Sequence, residues 1–581
     1  MSINKECAYV CSKCDKQQKV MCMKKNDYIV MIIITVLYAI VAFKDLGNIK
    51  NVETFVEFSK GDVIEVSFDK KEKIDTIHYY NGWVEECNYR LKLKTSKKEK
   101  INEKNSMANA FTWSLWSVDV EGKVKNLKIE LLSKESAIGE LVFLDENKNI
   151  IKPKNIKVNG KIKKELYDEN DLKPKKSTFS DSPYFDENLY VTTAYNFMNG
   201  RYSYERTHPP LGKWFIALGM KIFGVCPFGW RFIGTLFGVL MLPLIYILAK
   251  KMFDKTLYAG LACAMFALDF MHFVQTRIAT IDVYVTLFII CMYYFMYLYY
   301  VSDSKEDNIK KTWNYLVLSG ISMGLAIASK WTGCYAAVGL AIIFFITLYR
   351  KYKEHIDFKK YCKNTILVCV VSFVIIPLGI YIISYIPYIE KGHEDMSYME
   401  KVIDNQKYMF TFHSKLKESH THESRWYTWP IVYKPVFYMS RILSATHRQG
   451  INAMGNPFIW WIGILAFIYM IYRIIKEKDK TALFITIGYL SQLVPWMFVT
   501  RMTFIYHYFT SVPFVVLMNV YMFKCILDKE KSRKMRCYLA FYMIMLVVLF
   551  IMFYPVLSGQ DVSAEYVDTY LRWFESWDLV S

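Results

Sequence analysis

Apolar runs long enough to cross a lipid bilayer recur throughout the second two-thirds of this 581-residue chain. Hydrophobic residues make up 53% of the sequence and aromatic residues 17%, more than one soluble core usually needs. This pattern predicts a polytopic α-helical membrane protein with about 11 transmembrane helices. We predict that these helices span residues 28–43, 228–249, 256–274, 282–301, 313–329, 332–349, 364–386, 458–475, 481–499, 504–526 and 537–557.

The formal net charge is +19, which in a soluble protein would point to a nucleic-acid partner. Here, much of the lysine and arginine lies in short segments between apolar runs, a distribution typical of cytoplasmic loops. We therefore expect no nucleic acid, a cytoplasmic N-terminus and, from the odd number of spans, an extracytoplasmic C-terminus. The expected location is the cell (plasma) membrane, with the lipid bilayer as a partner.

Changes in composition divide the chain into seven segments. They are a cytoplasmic tail rich in cysteine and lysine (1–25), a first transmembrane helix (26–44), an extracytoplasmic β insertion (45–176), a catalytic membrane region with an Asp-Glu loop (177–387), an extracytoplasmic loop (388–457), C-terminal transmembrane helices (458–557) and an extracytoplasmic amphipathic tail with apolar residues at helical spacing (558–581). Apolar and polar residues alternate in the insertion, for example over residues 64–68, which predicts a β-sandwich.

Two groups of residues allow more than one interpretation. Aromatic residues of the insertion could stack on sugar rings or fill the sandwich core, which is the commoner role. These residues are Tyr79, Tyr80, Trp83, Trp113 and Trp116. Four cysteines near the start could bind zinc as thiolates or form a reduced tail beside the membrane, and their spacing lacks two well-separated C-x2-C pairs. They are Cys7, Cys11, Cys14 and Cys22.

An acidic pair, Asp186 and Glu187, precedes the long series of spans on the predicted outer side. Such a pair is by default solvated surface, but a carboxylate between membrane-embedded walls is partly desolvated and therefore more basic. Other charged and polar residues fall at the predicted outer ends of spans and suggest a site for an anionic head group. They are His208, Lys213, Arg231, Arg277, Asp282, Arg501 and His507. The alternative for each is a structural ion pair, such as Arg277 with Asp282.

Several blocks of the sequence are similar, in the same order, to those of the protein O-mannosyltransferase family. They are FDENLY, ERTHPPLGKWFIALG, PFGWRFIGTLFGVLMLPLIYILAK, FVQTRIATIDVY, ASKWTG, HTHESRWYTWP, GNPFIWW and VPWMFVTRMTFIYHYF. The resemblance covers the first span and most of residues 183–520. It implies a GT-C glycosyltransferase fold. It also implies an inverting transfer of mannose from polyprenyl-phosphate mannose to Ser or Thr hydroxyls of secreted or membrane proteins.

The resemblance also implies roles for individual residues. Asp186 is implied to be the catalytic carboxylate, Glu187 its partner in the site, and Arg277 a functionally important residue. The loop at 388–457 is too short for the MIR domains of eukaryotic members, and a β insertion precedes the Asp-Glu pair. In both respects the chain resembles the bacterial branch of the family.

The chemistry of the implied reaction distributes the remaining roles. A Ser or Thr hydroxyl needs a base as it attacks, and we expect Asp186 to be that base. The lipid phosphate that leaves needs charge stabilisation, so we expect cations to bind it. The candidates are Arg277 and Arg501, followed by His208, Lys213 and His507. Because a monophosphate donor has no diphosphate to bridge and no D-x-D pair lies near Asp186, we expect no metal or other cofactor.

A last group of residues is expected near the site, in the acceptor groove or in a structural role. It comprises Asp282, His420, His422, Trp426 and Trp429. Two other functions stay open, a GT-C transferase acting on a glycolipid or cell-wall glycan and a transporter of lipid-linked sugars. Transport favours charged residues near mid-bilayer, whereas those here gather at one face. The chain could also pair with a second copy of itself.

Overall fold

A computed structural model describes residues 23–84, 87–95, 99–106, 109–118, 122–302, 309–352, 358–390, 395–530 and 532–580. The described chain forms a helical membrane domain, a β-sandwich inserted after the first helix, and a small three-stranded sheet. The cysteines considered for zinc binding, Cys7, Cys11, Cys14 and Cys22, lie outside these ranges.

Helices make up most of the described chain. They are α1 (Lys25–Phe43), α2 (Glu187–Met198), α3 (Leu211–Phe223), α4 (Pro227–Phe253), α5 (Thr256–Ala267), α6 (Phe270–Gln275), α7 (Asp282–Val301), α8 (Ile309–Ser329), α9 (Gly333–Tyr352), α10 (Phe358–Ile383), α11 (Tyr398–Lys415), α12 (Pro457–Glu477), α13 (Lys480–Leu493), α14 (Val512–Glu530) and α15 (Arg533–Ser558). Among the described residues, nine helical segments are long and apolar enough to cross a membrane. They are α1, α4, α7, α9, α10, α12, α15, Lys480–Phe498 and Ile505–Glu530.

Two of the predicted spans differ in the structure. Residues 256–274 are not one helix: α5 ends before Leu268, and the Asp269 carboxylate accepts a hydrogen bond from the His272 amide, 3.0 Å away, to begin α6. Residues 313–329 lie in α8, which has 21 residues but is not among the nine segments that are apolar enough to cross a membrane. The predicted helical membrane fold is confirmed, and the number of spans is approximate.

The inserted β-sandwich consists of two antiparallel sheets, with strand orders β1-β8-β3-β6, to which β9 adds beside β8, and β11-β10-β2-β7-β4-β5. The strands are β1 (Val56–Ser59), β2 (Val63–Glu72), β3 (Thr76–Asn81), β4 (Cys87–Thr95), β5 (Glu99–Ser106), β6 (Trp113–Ser117), β7 (Val124–Leu131), β8 (Glu135–Leu144), β9 (Ile150–Ile151), β10 (Asn155–Val158) and β11 (Lys161–Ile162). The alternation at residues 64–68 places Ile64, Val66 and Phe68 in the core between the sheets, as predicted.

The sheet that contains β3 and β8 is covered on both faces. Inside the sandwich, Tyr79 and Trp116 stack with ring centroids 4.1 Å apart. On the opposite face, Tyr80 and Trp113 are buried in the same hydrophobic core as residues of α1 and α4. Trp83 is half-buried and stacks on an aromatic ring of α2, with centroids 5.0 Å apart. These aromatic side chains are therefore core residues, and the sandwich packs directly onto the membrane domain.

A second, smaller sheet follows α10 and α11 in the chain. It contains β12 (Val436–Ile442), β13 (His447–Ala453) and, from the C-terminal tail, β14 (Asp561–Ser563). In the C-terminal tail, the helical spacing of apolar residues corresponds to helical structure over the two consecutive turns Ala564–Tyr566 and Val567–Leu571, which follow β14. The tail packs on the rest of the protein, since Trp577 is buried and its Nε1 donates to the Val432 carbonyl, 2.7 Å away.

Candidate active site

Asp186 is the last residue before α2, at the end of the segment that leaves the sandwich. The residue before it, Phe185, has a backbone φ of 51°, in the left-handed region that non-glycine residues rarely adopt. The Phe185 ring stacks on Tyr438 of β12 with centroids 4.4 Å apart, a contact that supports this conformation. Backbone strain of this kind concentrates at functional sites, and it lies here beside a half-buried carboxylate.

The surroundings of Asp186 make it a stronger base than a surface aspartate. Burial raises the pKa of Asp186 to about 6; the positive charge of Lys330 opposes the rise, and the carboxylates of Asp282 and Glu205 add to it. At neutral pH the side chain is therefore mostly ionised yet ready to accept a proton. This is the property that general-base catalysis requires.

Lys330, in the turn between α8 and α9, is close enough to Asp186 to act on its charge, and it also lines a cavity. Its Nζ donates to Asp282 Oδ1, 2.8 Å away, at the start of α7, and both side chains are buried. The same lysine lines a cavity of about 330 Å³, a volume typical of small-molecule sites. His208, His413, Trp496 and Arg501 also line it, together with parts of α9 and α11. The predicted pairing of Asp282 with Arg277 is therefore replaced by a pairing with Lys330.

The positive charge of the cavity comes from Lys330 and Arg501. Arg501 lies between two spans, and no described carboxylate forms an ion pair with it; its Nη1 donates to the Met502 carbonyl at 3.4 Å. By contrast, burial lowers the pKa of His413 to about 4, and the nearby His208 contributes in the same direction. His413 is therefore a neutral hydrogen-bonding group at neutral pH, whereas Arg501 is a cation without an ion-pair partner among the described residues.

Glu205, His208 and Lys213 form a buried network beside the cavity. Lys213 Nζ is ion-paired with Glu205 and donates to the carbonyls of Glu205 and His208, at 3.0 and 2.9 Å. His208 Nδ1 lies 3.2 Å from Glu205 Oε1. Burial alone would raise the pKa of Glu205, but Lys213 and His208 outweigh it and hold that pKa below its ordinary value. The Lys213 ammonium group thus binds its partners inside the network, while His208 lines the cavity.

Glu187 points away from the cavity and into a fully buried ion pair. Its two carboxylate oxygens accept from Arg231 Nε and Nη2, at 2.8 and 2.7 Å. Oε1 also accepts from the Ala279 amide, 2.8 Å away. The same guanidinium donates to the carbonyls of Leu46, Phe179 and Ser182. Glu187 and Arg231 therefore connect α2, α4, the end of the first span and the segment before Asp186.

Arg277 lies apart from the charged cavity. Its Nη2 donates to the carbonyls of Lys44 and Asp45, at 2.8 and 3.0 Å, directly after α1. Its guanidinium also lies over the Phe273 ring, 4.7 Å from the centroid. Arg277 therefore lies outside the cavity that Lys330 and Arg501 line, and it holds residues 44 and 45.

Two of the aromatic and histidine candidates, Trp429 and His507, do not line the cavity but pack against its lining residue Trp496. His507 is buried and packs against Trp496, with ring centroids 4.4 Å apart, and against Trp429, at 6.1 Å. Trp429 is itself buried and donates to Ser424 Oγ, 3.1 Å away. Trp426 is half-buried. His507 and Trp429 thus act as supporting residues in this structure.

His420 and His422 lie nearer the surface. His420 is exposed, and its Nδ1 accepts from the His422 amide, 3.1 Å away. In the described part of the chain, no metal-binding cluster includes either residue. Metal-independent catalysis stays a prediction.

Helix α11 and its contacts were missed by the sequence analysis. His413 Nε2 lies 2.9 Å from the Thr207 carbonyl, and Asn405 Nδ2 donates to the Arg206 carbonyl, 3.0 Å away. These bonds attach α11 to the turn that carries His208. A capping box at Ser397 and Glu400 signals the start of this helix and could have indicated it. Lys330 is a second residue of the cavity that the sequence candidates did not include.

Two protein-family models match the parts of the chain that contain these features. Residues 207–380 match a family model described as dolichyl-phosphate-mannose-protein mannosyltransferase. Residues 398–577 match one described as the C-terminal four TMM region of protein-O-mannosyltransferase. The two matches include the His208 turn, Lys330, α11 and Arg501.

Curated relatives and a solved structure cover most of the chain. Polyprenol-phosphate-mannose--protein mannosyltransferase of Mycobacterium tuberculosis is 24% identical over 463 residues, 69% of this chain and 87% of that protein. The protein of the same name from Corynebacterium glutamicum is 24% identical over 472 residues, 69% of this chain and 89% of that protein. The structure of the S. cerevisiae protein O-mannosyltransferase Pmt1-Pmt2 complex bound to the sugar donor has a similar fold. Its TM-score is 0.60, with 13% identity over 68% of this chain and 89% of that one.

Proposed function

The chain belongs to the protein O-mannosyltransferase family, and from this membership we propose that it transfers mannose from a polyprenyl-phosphate mannose to Ser or Thr hydroxyls of proteins. The observation that carries the proposal is a half-buried, basic aspartate, Asp186, electrostatically coupled to Lys330, which lines a cationic cavity with Arg501. A carboxylate base beside cations fits a hydroxyl nucleophile and a phosphate leaving group.

In the proposed reaction, Asp186 takes the proton of the acceptor hydroxyl as its oxygen attacks the anomeric carbon. The bond between that carbon and the phosphate oxygen breaks, and the lipid phosphate leaves with the electron pair. Lys330 and Arg501 stabilise its charge, and His208 and His413 are neighbouring hydrogen-bonding groups on the cavity wall. Placed donors of this kind typically contribute several kcal/mol to the transition state in a dry site.

We propose inversion of configuration for this transfer. Retention by double displacement needs a second carboxylate as nucleophile on the opposite face of the sugar. Glu187 is the adjacent carboxylate, and the Arg231 guanidinium and the Ala279 amide occupy its oxygens. A single displacement by the acceptor hydroxyl therefore accounts for the available groups, without a metal ion.

The central test is transfer by the purified protein. The protein in detergent is supplied with polyprenyl-phosphate mannose and a Ser/Thr-containing peptide, and mass spectrometry should find one hexose on a hydroxyl side chain. Asp186→Asn should lower kcat at least about a hundredfold, because general-base catalysis contributes about 10²–10⁴. Asp561→Asn, which changes an exposed aspartate of the tail, is the matched control.

Two outcomes would contradict the proposal. An undiminished rate in Asp186→Asn would exclude this residue as the base. Transfer to a glycolipid or glycan acceptor, with none to peptide, would instead indicate the related GT-C function on a different acceptor. Addition of EDTA should leave the rate unchanged, and activity restored only by Mn²⁺ would overturn metal independence.

A further inference from the structure

Three acidic side chains of the inserted sandwich meet where the chain enters and leaves it. Glu140 lies on β8, while Asp168 and Glu169 lie on the segment that runs from the sandwich towards Asp186. One carboxylate oxygen from each lies within 4.8 Å of the other two. Oxygens that bind the same Ca²⁺ at about 2.4 Å can be at most about 4.8 Å apart, so these three could share one ion.

Glu140 distinguishes this group from an ordinary acidic surface. Its side chain is 0% exposed, and its Oε2 is buried without a hydrogen-bond partner. Its Oε1 accepts from Asn170 Nδ2. In the described part of the chain, no lysine, arginine or histidine forms an ion pair with Glu140, Asp168 or Glu169. A buried carboxylate is costly unless a proton or a cation compensates its charge, and three convergent carboxylate oxygens suit a cation.

Glu169 brings the other end of the insertion to the same place. Its Oε2 accepts from the Glu53 amide and the Thr54 hydroxyl, at 3.4 and 3.5 Å. Residues 44–55 lead from α1 into the sandwich, and residues 163–185 lead from it to Asp186. An ion bound here would therefore contact both connecting segments and β8 at once.

We propose that Glu140, Asp168 and Glu169 form a site for one divalent cation with oxygen ligands, Ca²⁺ above others, which fixes the sandwich to its two connecting segments. A donor set made only of carboxylate oxygens suits hard cations, whereas Zn²⁺ favours histidine and cysteine. Asp168 is exposed and Glu169 half-buried, so an ion can reach the site from solvent. The site is structural, because the transfer proposed at Asp186 does not pass through it.

The test uses the full chain in detergent, stripped with EDTA, freed of chelator and titrated with Ca²⁺ and separately with Mg²⁺. Calorimetry should give one Ca²⁺ per chain, and the unfolding temperature should rise with Ca²⁺ concentration. Glu140→Gln should weaken Ca²⁺ binding at least about tenfold and remove that rise. Glu146→Gln changes an exposed glutamate just beyond the same strand, paired with Lys73, and should behave like the wild type.

A second variant keeps the test informative if Glu140→Gln folds poorly. Asp168→Asn alters only an exposed ligand, so the variant should fold normally and still bind Ca²⁺ more weakly. The proposal is overturned if the stripped wild-type chain binds neither ion, or if both variants bind Ca²⁺ as the wild type does. Binding of Mg²⁺ alone would support a cation site and overturn the preference for Ca²⁺.

Discussion

Asp186 and Glu187 are neighbours in the chain but have different surroundings. Glu187 is fully buried, and Arg231 and Ala279 occupy its oxygens. Asp186 is half-buried, and among the described residues no lysine, arginine or histidine forms an ion pair with it. A single peptide bond thus separates a carboxylate that organises structure from one that we propose for proton transfer. Substitution of Asp186 should reduce activity through loss of the proposed base, and substitution of Glu187 through loss of structure. The first is tested by the rate of transfer and the second by thermal unfolding.

The pH dependence of transfer reports on Asp186. Because burial raises its pKa to about 6, the residue is protonated and inactive as a base below that pH. We expect kcat/KM to rise as the pH increases through about 6 and to level off above it. The measurement is kcat/KM between about pH 4.5 and 8 at a fixed concentration of donor. A profile without an inflection in this range would show that another group limits the reaction.

Arg501 should act on the donor rather than on the acceptor. It is a cavity cation without an ion-pair partner among the described residues. A lost charge-assisted hydrogen bond costs about 1.5–3 kcal/mol, so Arg501→Ala should raise the KM for donor about ten- to a hundredfold. Arg572→Ala, at an exposed arginine paired with Asp568, is the control. A change confined to the KM for the acceptor peptide would place Arg501 in the acceptor groove instead.

Among the elements, α2 and α4 are joined by the pair of Glu187 and Arg231. This pair lies beneath the segment that carries Asp186, since the Arg231 guanidinium also reaches the carbonyls of Phe179 and Ser182. The orientation of the loop that carries Asp186 therefore depends on a contact that lies outside the cavity. Helix α11 supplies part of the wall of the cavity, and Asn405 and His413 hold it to the His208 turn.

Breaking this pair should cost stability as well as activity. Removal of one partner from a buried ion pair typically destabilises a protein by about 3–5 kcal/mol, because the other charge stays buried. Glu187→Gln and Arg231→Leu should each lower the unfolding temperature, and the double variant should lose less than the sum. Thermal unfolding followed by tryptophan fluorescence measures this. A wild-type unfolding temperature in Glu187→Gln would argue that the residue acts only in the chemistry.

Sequence patterns predict secondary-structure elements well where a periodic pattern continues over many residues. They predict poorly which partner a single side chain contacts. Period-two alternation located the sandwich, and apolar length located most spans. By contrast, Arg277, Lys330 and Arg501 all lie near predicted outer ends of spans, and no pattern along the chain tells which side chain faces the cavity. All three lie in turns between helices, where no periodicity applies, and the position of each turn is set by how the flanking helices pack. For the same reason the partner of Asp282 was missed.

For the whole molecule, we propose that the sandwich and Asp186 lie outside the cytoplasm and the basic loop after α12 inside it. Lys152→Cys places a thiol at an exposed position of the sandwich, and Lys476→Cys places one at the exposed end of α12. A membrane-impermeant maleimide should label the first in intact cells and the second only after lysis. The wild-type chain, which has its own cysteines, provides the background. The reverse pattern would invert the topology.

The packing of the sandwich on the helical domain has a consequence for biogenesis. The face that carries Tyr80 and Trp113 belongs to a core that includes residues of α1 and α4, in which the Phe111 and Trp230 rings lie 6.4 Å apart, and α4 begins at residue 227. A ribosome therefore completes the sandwich before it makes that helix. In this interval the aromatic face is exposed to other molecules, and transiently exposed apolar surface is prone to aggregation. Nascent chains stalled shortly after residue 176 should accordingly need a chaperone, and translation speed across residues 177–253 should affect the yield of folded protein.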